Sequence, residues 1–529
     1  MLPESRLKSL RAGGDTYAVL FILLLAAPSL VWIALDAKLP SGDCLDYAEE
    51  SLRLYSELKS NPKNWLSLVF QISPYKPPLM IWVGQFFVPL GLLTKSMEFG
   101  LRLPVFLVQV LTLGIMFGTL KSMYFNRLIS LAGCAVIAAA PIFVAMSGQY
   151  YSDVFVLLSV TLFMRIMVRA ASMDKATILA SILAAASIGA LSKLSSPLYC
   201  IGPAALVLAR IRGKGFGFAK LNPLLAFAAL VLAASASAWF YLHIGPAWGH
   251  AVSSATSPRW GHRADVISKL QILAGISGVN LTTGFTIAMF IFAPFALAWI
   301  TVKKGFKSWD IYLMASIFQI ILFYLVFSFS TNEFPRFLLP LLPYFAVVSC
   351  WILSRADKYA RTFALAALAL LTLQLLLVDS WAFSLAGKPD GTAFLNGLQT
   401  HDSDKEQLMG FMEKACGLQA NGTMRIVEIF GYDYRAQEAK YYSALFRFRN
   451  GAKCDQIILR NWEWKPEGGL ALLRSYDPAY VSLESGLAPK NQVDIATLEK
   501  MMKDSVEYER VEMGEYPAMA VFRFNQTPT

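Results

Sequence analysis

Charge is scarce in this chain. Asp, Glu, Lys and Arg make up 16% of the 529 residues, while 56% are hydrophobic. That balance excludes a water-soluble globular protein, which needs about a quarter of its residues charged to cover its surface. The period-two alternation of a membrane β-barrel is also missing. The six cysteines show no CxxC pair and no metal-ligand spacing, which removes zinc ribbons and thioredoxin-like redox sites. Cys134, Cys200 and Cys350 lie inside apolar runs and read as small core residues. No internal repeat and no low-complexity tract occurs. A cleavable signal peptide is not expected, because the basic start "MLPESRLKSLR" leads into an apolar run too long for a signal. It predicts a retained first helix.

What is present is a series of apolar runs long enough to span a bilayer. They predict membrane helices at about 17–36, 103–120, 129–147, 154–169, 176–191, 195–209, 222–242, 284–302, 311–329, 337–353 and 362–379. The fold class is therefore a polytopic α-helical membrane protein with about 11–13 transmembrane helices. The net charge of +11 is no nucleic-acid signal. Most of it sits in short clusters between the runs, where basic residues set topology. Arg6, Lys8 and Arg11 place the N-terminus in the cytoplasm. Lys121 with Arg127, Arg165 with Arg169 and Lys175, Arg210 with Arg212 and Lys214, Lys303 with Lys304 and Lys307, and Arg355 with Lys358 and Arg361 mark further cytoplasmic loops. The short run 79–93 breaks this alternation if it crosses. With Pro77 and Pro78 at its start, it is expected to be re-entrant or interfacial on the outer face.

Three segments then share the outer side: 38–78, 243–283 and everything after about 380. In the first, "CLDYAEESLRLYSELK" carries Leu45, Ala48, Leu52 and Tyr55 at helical spacing, so an amphipathic helix is expected on the membrane. The chain divides into a membrane module, 1–384, and a C-terminal soluble domain, 385–529. In the latter, helical stretches alternate with "MRIVEIFG", "CDQIILRN", "PAYVSLESG" and "PAMAVFRF". That mixture predicts a small extracytoplasmic α/β domain. Cys416 and Cys454 both fall in it, on an oxidising side, and are expected to pair. Sequons at Asn280, Asn421 and Asn525 read as chance matches.

Charged residues near the outer helix ends are the candidates for chemistry. Asp43, in "LPSGDCLDYAEE", and Asp153, in "GQYYSDVFVLL", each have a plain alternative as a helix cap. Lys76 in "SPYKPPL", Lys193 in "GALSKLSSP" and Arg336 in "TNEFPRFLLPLLP" each have one as a snorkelling cation. Prolines flank Lys76 and Arg336, however, and a snorkelling side chain needs no stiff backbone beside it. Acids and cations gathered at the rim of a helix bundle suit a polar reaction on a lipid headgroup.

The order "D…YKPPL…RLP…YYSD…LSK…PRFLLPLLP" resembles the bacterial integral-membrane glycosyltransferases of the GT-C fold. The nearest groups are the protein O-mannosyltransferase superfamily and the lipid A aminoarabinose transferases. The resemblance covers roughly 40–380. It implies catalytic acids at Asp43 and, as the second acidic position, Asp153, and contact of Lys76 with a donor phosphate. The late arginine of the pattern falls on Arg336. The chain departs from relatives that pair two acids in the first loop, because Cys44 follows Asp43. No metal ligand is assigned, and a divalent cation is the one cofactor the resemblance leaves open.

The chemistry fits these residues on its own terms. A polyprenyl phosphate is a good leaving group, so transfer needs a base for the acceptor hydroxyl and cations for the departing phosphate. Asp43 would be the base, with Lys76, Arg336 and Lys193 around the phosphate. Attack opposite the phosphate gives inversion and needs one carboxylate, unlike glycoside hydrolysis. The expected partners are a polyprenyl-phosphate sugar and a glycolipid, glycan or protein acceptor, in a bacterial inner membrane. A flippase of lipid-linked saccharides is the main alternative. It predicts ionisable groups near the bilayer midplane, whereas here they sit at helix ends. A polymerase or ligase of another membrane fold and a non-catalytic scaffold are lesser ones.

Overall fold

The computed structural model describes residues 4–37, 39, 43–124, 126–212, 217, 221–256, 293–330, 335–355 and 359–375, and in the last part of the chain 409–410, 413, 424–429, 440–446, 454–459, 480–484, 500–504, 508–511 and 519–524. The chain forms two compact units. One is 1–36 with 66–399, the other 37–65 with 400–529.

The first unit is helical. It holds α1 (Glu4–Leu35), the end of α3 (Pro62–Gln71), α4 (Leu79–Gly84), α5 (Val88–Leu93), α6 (Met97–Tyr124), α7 (Arg127–Ala138), α8 (Pro141–Ser147), α9 (Asp153–Arg169), α10 (Lys175–Ser192), α11 (Ile201–Ile211) and α12 (Pro223–Thr256). It continues with α13 (Ala293–Lys304), α14 (Ile311–Ser328), α15 (Leu342–Ser354) and α16 (Ala360–Leu373). Short 3₁₀ turns at Ser196–Cys200 and Pro335–Leu341 precede α11 and α15. α9 is the centre. It is buried on nearly every face and packs against α6, α10, α11 and the 335–341 turn. α12 leans on α10 and exposes Leu224, Phe227, Leu230 and Tyr241, the apolar surface expected of a helix that faces lipid.

Six of the described helical stretches are long and apolar enough to cross a membrane, on length and composition alone: Thr16–Leu35, α6, α10, α12, α14 and Arg336–Ser354. This is fewer than the 11–13 expected from the apolar runs, and the reasons are local. The expected span 129–147 is two helices, α7 and α8, bent by 64°. Pro141 opens α8 and cannot donate to the preceding turn. The run 195–209 starts in the 3₁₀ turn that contains Pro197, which leaves α11 short. α9 has 17 residues, and α13 and α16 are shorter still. Residues 257–292 before α13 and 376–399 after α16 lie outside the described ones. The stretch Leu79–Leu93 is a short apolar helix of about 22 Å, less than a hydrocarbon core of about 30 Å. It turns back onto α6 through Lys95, at φ 57°. The two helices meet at Gly91 and Gly100, where an added Cβ on Gly100 would lie 2.5 Å from the Gly91 nitrogen.

The second unit contains α2 (Asp43–Ser60), where the amphipathic helix was expected, with Leu45, Ala48 and Leu52 buried. Acids at its start and Lys59 in its last turn complement the helix dipole. The unit also holds a five-stranded sheet of order β2-β1-β3-β5-β4. The strands are β1 (Met424–Ile429), β2 (Cys454–Leu459), β3 (Tyr480–Glu484), β4 (Tyr508–Val511) and β5 (Met519–Phe524). β1 runs parallel to β2 and β3, and β5 antiparallel to β3 and β4. Parallel neighbours need a crossover, and residues 440–446 between β1 and β2 are helical. Cys416 and most of the segment 243–283 lie outside the described residues, as do the three sequons, so the expected Cys416–Cys454 pair does too.

Candidate functional site

The chain turns sharply between α8 and α9 at "SGQYYSD". Gly148 follows α8 as its C-cap, packed closely against α1. A Cβ there would lie 3.0 Å from the Trp32 indole nitrogen of α1. Ser152 then precedes α9 without a side-chain capping bond, and Asp153 is the first helical residue. The cap reading of Asp153 therefore does not describe this corner. Its carboxylate is 2% exposed and accepts a hydrogen bond from Lys193 Nζ at 2.6 Å. Lys193 leaves α10 in an extended conformation, which aims its side chain back across α9. It does not snorkel freely, since its ammonium also sits 4.0 Å from the Phe337 ring centre. A carboxylate at a helix N-terminus gains from the dipole, and a cation over an aromatic face gains from the ring quadrupole.

Arg336 reaches the same place from the 335–341 turn. Its guanidinium lies 4.6 Å from the Tyr151 ring and 5.8 Å from that of Phe337. The turn is fixed from behind. The Tyr199 hydroxyl donates to the Phe337 carbonyl at 3.0 Å, Tyr344 donates to the Tyr199 carbonyl, and Tyr199 stacks on Phe323. Lys193, held by Asp153, and Arg336 thus both reach the Phe337 ring, and Arg336 also reaches that of Tyr151.

Lys76 is half-buried in the loop that joins α3 to α4. That loop is tied to the same corner, because the Tyr150 hydroxyl donates to the Met80 carbonyl at 3.0 Å. Asp43 lies in the second unit, half-buried in the first turn of α2 together with Asp46. Among the described residues no group of three or more His, Cys, Asp or Glu side chains is arranged to hold a metal ion.

One polar feature had no role assigned from the sequence, although it opens the quoted motif "RLP". Arg102 of α6 is 0% exposed. Its Nη2 lies 2.7 Å from Asp36 Oδ2, and its Nη1 donates to the Asp36 carbonyl at 2.9 Å. The guanidinium caps the C-terminal end of α1, where a cation and a donor are both favoured. The signal was an arginine set within an apolar run at "FGLRLPVF".

A family model described as dolichyl-phosphate-mannose-protein mannosyltransferase matches residues 75–241, about a third of the chain. ArnT from Cupriavidus metallidurans bound to undecaprenyl phosphate superposes with a TM-score of 0.59 at 14% identity, over 97% of this chain and 99% of that one. Its apo form gives 0.57 at 14% identity, over 96% and 98%. The mycobacterial arabinofuranosyltransferase AftD gives 0.52 at 12% identity, over 96% of this chain and 40% of its own. No curated protein matches. The chain has the GT-C fold.

Within that fold, the family match contains Lys76, Arg102, Asp153 and Lys193, and Arg336 lies beyond its end. The structure brings Asp153, Lys193 and Arg336 together. It joins the Lys76 loop to them through Tyr150, and it places Asp43 in the other unit. The GT-C resemblance in the sequence came from short motifs scattered along the chain. Their meeting at one corner is set by α9 and the 335–341 turn.

Proposed function

We propose that the protein is a membrane glycosyltransferase that moves a sugar from a polyprenyl-phosphate donor to a hydroxyl acceptor. The observation that carries this reading is the convergence of Lys193 and Arg336 on Phe337 and Tyr151 beside the Lys76 loop, in a chain of GT-C fold. Cations held on aromatic faces at the end of a helix bundle suit a phosphate that stays anchored to lipid. In the transfer, the acceptor hydroxyl gives its proton to the Asp43 carboxylate. Its oxygen attacks the anomeric carbon, and the bond from that carbon to the phosphate oxygen breaks. The polyprenyl phosphate leaves with the electron pair, and the configuration inverts. Lys76 and Arg336 hold the phosphate as its charge grows. Asp153 orients Lys193, since its carboxylate is committed to that ammonium.

The reaction takes place on the outer face of a bacterial inner membrane, with the N-terminus in the cytoplasm and 385–529 as an extracytoplasmic α/β domain. The sugar is a hexose or a pentose, and the acceptor a glycolipid, glycan or protein. The test is transfer from a panel of polyprenyl-phosphate sugars by the purified protein in liposomes, alongside binding of undecaprenyl phosphate. Arg336→Ala is expected to weaken that binding and slow transfer. Movement of an intact lipid-linked saccharide between leaflets with no transfer, or binding indifferent to Arg336, would refute the reading.

A further inference from the structure

The last turn of α3 lacks the amide that should close it. Residue 74 is proline, so the carbonyl of Phe70 has no N–H four residues on. Ser73, at φ 56°, then turns the chain off the helix axis. Two side chains from elsewhere supply donors. The Trp82 indole in α4 donates to the Val69 carbonyl at 2.9 Å. Nε2 of His243, in α12, lies 2.7 Å from the Phe70 carbonyl oxygen. A carbonyl only accepts, so the proton of His243 is on Nε2. The ring of His243 is set in turn by Trp239, 5.5 Å away and one turn back on α12. Two turns on, His250 meets the Tyr75 ring at 6.4 Å. With Tyr150 on Met80, the loop 72–78 is held at both ends.

We propose that His243, together with Trp82, is a positioning residue for Lys76. The inference rests on the reading of Lys76 as a phosphate ligand and adds to it the means by which α12 sets that lysine's place. The loop contains Pro74, Pro77 and Pro78, and Lys76 directly precedes a proline, so its backbone is restricted to extended conformations. A stiff segment passes a shift at its root to its tip. Losing the bond to Phe70 therefore moves the ammonium of Lys76 rather than merely loosening a helix end.

The experiment measures binding of undecaprenyl phosphate to full-length protein in nanodiscs for wild type, Lys76→Ala, His243→Phe, His243→Gln and the double variant Lys76→Ala/His243→Phe. His243→Phe keeps a ring but no donor, and it is expected to weaken binding about ten-fold, the scale of one lost hydrogen bond. His243→Gln keeps an N–H and recovers most of the affinity, which also guards against loss of folding in the Phe variant. The double variant binds no worse than Lys76→Ala alone, because the histidine acts through the lysine. If Lys76→Ala is weak but His243→Phe binds like wild type, or adds its full factor to Lys76→Ala, or Gln does no better than Phe, the positioning role is overturned. If Lys76→Ala itself binds like wild type, the phosphate reading of the lysine falls, and the inference falls with it.

Discussion

Replacing Asp153 by Asn keeps the shape of the side chain and removes its charge. The Lys193 ammonium, 2.6 Å away, then faces a neutral amide at a site where the acid is 2% exposed. Removing one partner of a fully buried ion pair costs about 3–5 kcal/mol, mostly the penalty of the charge left behind. Lys193 is less extreme, with 22% of its side chain exposed. Water reaches the ammonium, and the Phe337 ring still faces it at 4.0 Å. Both effects reduce the penalty, so Asp153→Asn is expected to destabilise the helical unit by about 2–3 kcal/mol. Lys193→Met leaves the buried carboxylate alone, and because that acid has almost no contact with water, its cost is the larger, about 3–5 kcal/mol.

The pair is tested by a double-mutant cycle read as resistance to heat inactivation and to denaturant in detergent. Asp153→Asn/Lys193→Met has no stranded charge and should be more stable than Lys193→Met alone, which requires a coupling larger than the Asp153→Asn cost, about 3–4 kcal/mol. Additive effects across the cycle, or an Asp153→Asn variant as stable as wild type, would refute the claim that the acid is committed to Lys193. A second readout separates scaffold from chemistry. If Asp153 only orients Lys193, adding Asp153→Asn to Lys193→Met lowers transfer no further than Lys193→Met does alone. A further loss on adding Asp153→Asn would make Asp153 a participant in the reaction.

Arg102→Met should cost about 3–5 kcal/mol, because it removes the buried guanidinium 2.7 Å from the Asp36 carboxylate and uncaps α1. Arg102→Lys should recover only part, since one ammonium cannot span a carboxylate and a carbonyl as the guanidinium fork does; thermal inactivation of both variants checks this. Gly189→Ala places a Cβ 2.7 Å from Ser159 Oγ and 2.9 Å from Ser196 Oγ, so α10 must shift, at about 1–3 kcal/mol. Adding Ser159→Ala should relieve part of that cost in the same assay. Asp43→Asn should slow transfer about 10²–10⁴-fold with unchanged stability, because an amide still suits a helix start but cannot take a proton. Near-normal turnover in single-turnover assays would remove Asp43 from the role of base.

What the sequence made legible follows from what each signal depends on. The apolar runs depend on length and composition within one segment, and each of the eleven expected spans contains a described helix. The breaks within them depend on single residues, Pro141 and Pro197, whose effect is to shorten a helix without lowering hydropathy. A window that averages over about nineteen residues passes over them. The site residues were legible for a different reason. A charge in apolar surroundings is costly wherever it sits, so Lys193 and Arg336 were conspicuous before any partner was known.

The same cost should have drawn attention to Arg102, which is the most completely buried of these cations. It lies inside an apolar run rather than at its end, and in the sequence it stands out only as the first residue of the motif "RLP". The partners themselves were out of reach. Asp153 and Lys193 are 40 residues apart, Arg102 and Asp36 are 66 apart, and His243 is 173 residues from the carbonyl it holds. No periodicity encodes such distances, because they are set by which helices pack side by side. One partnership did leave a local trace. Pro74 four residues after Phe70 guarantees a helix carbonyl with no amide to meet it. A carbonyl in that position is open to water, to a 3₁₀-type bond or to a donor from elsewhere in the chain. The sequence thus marked an open acceptor, and only the packing of α12 shows that His243 meets it.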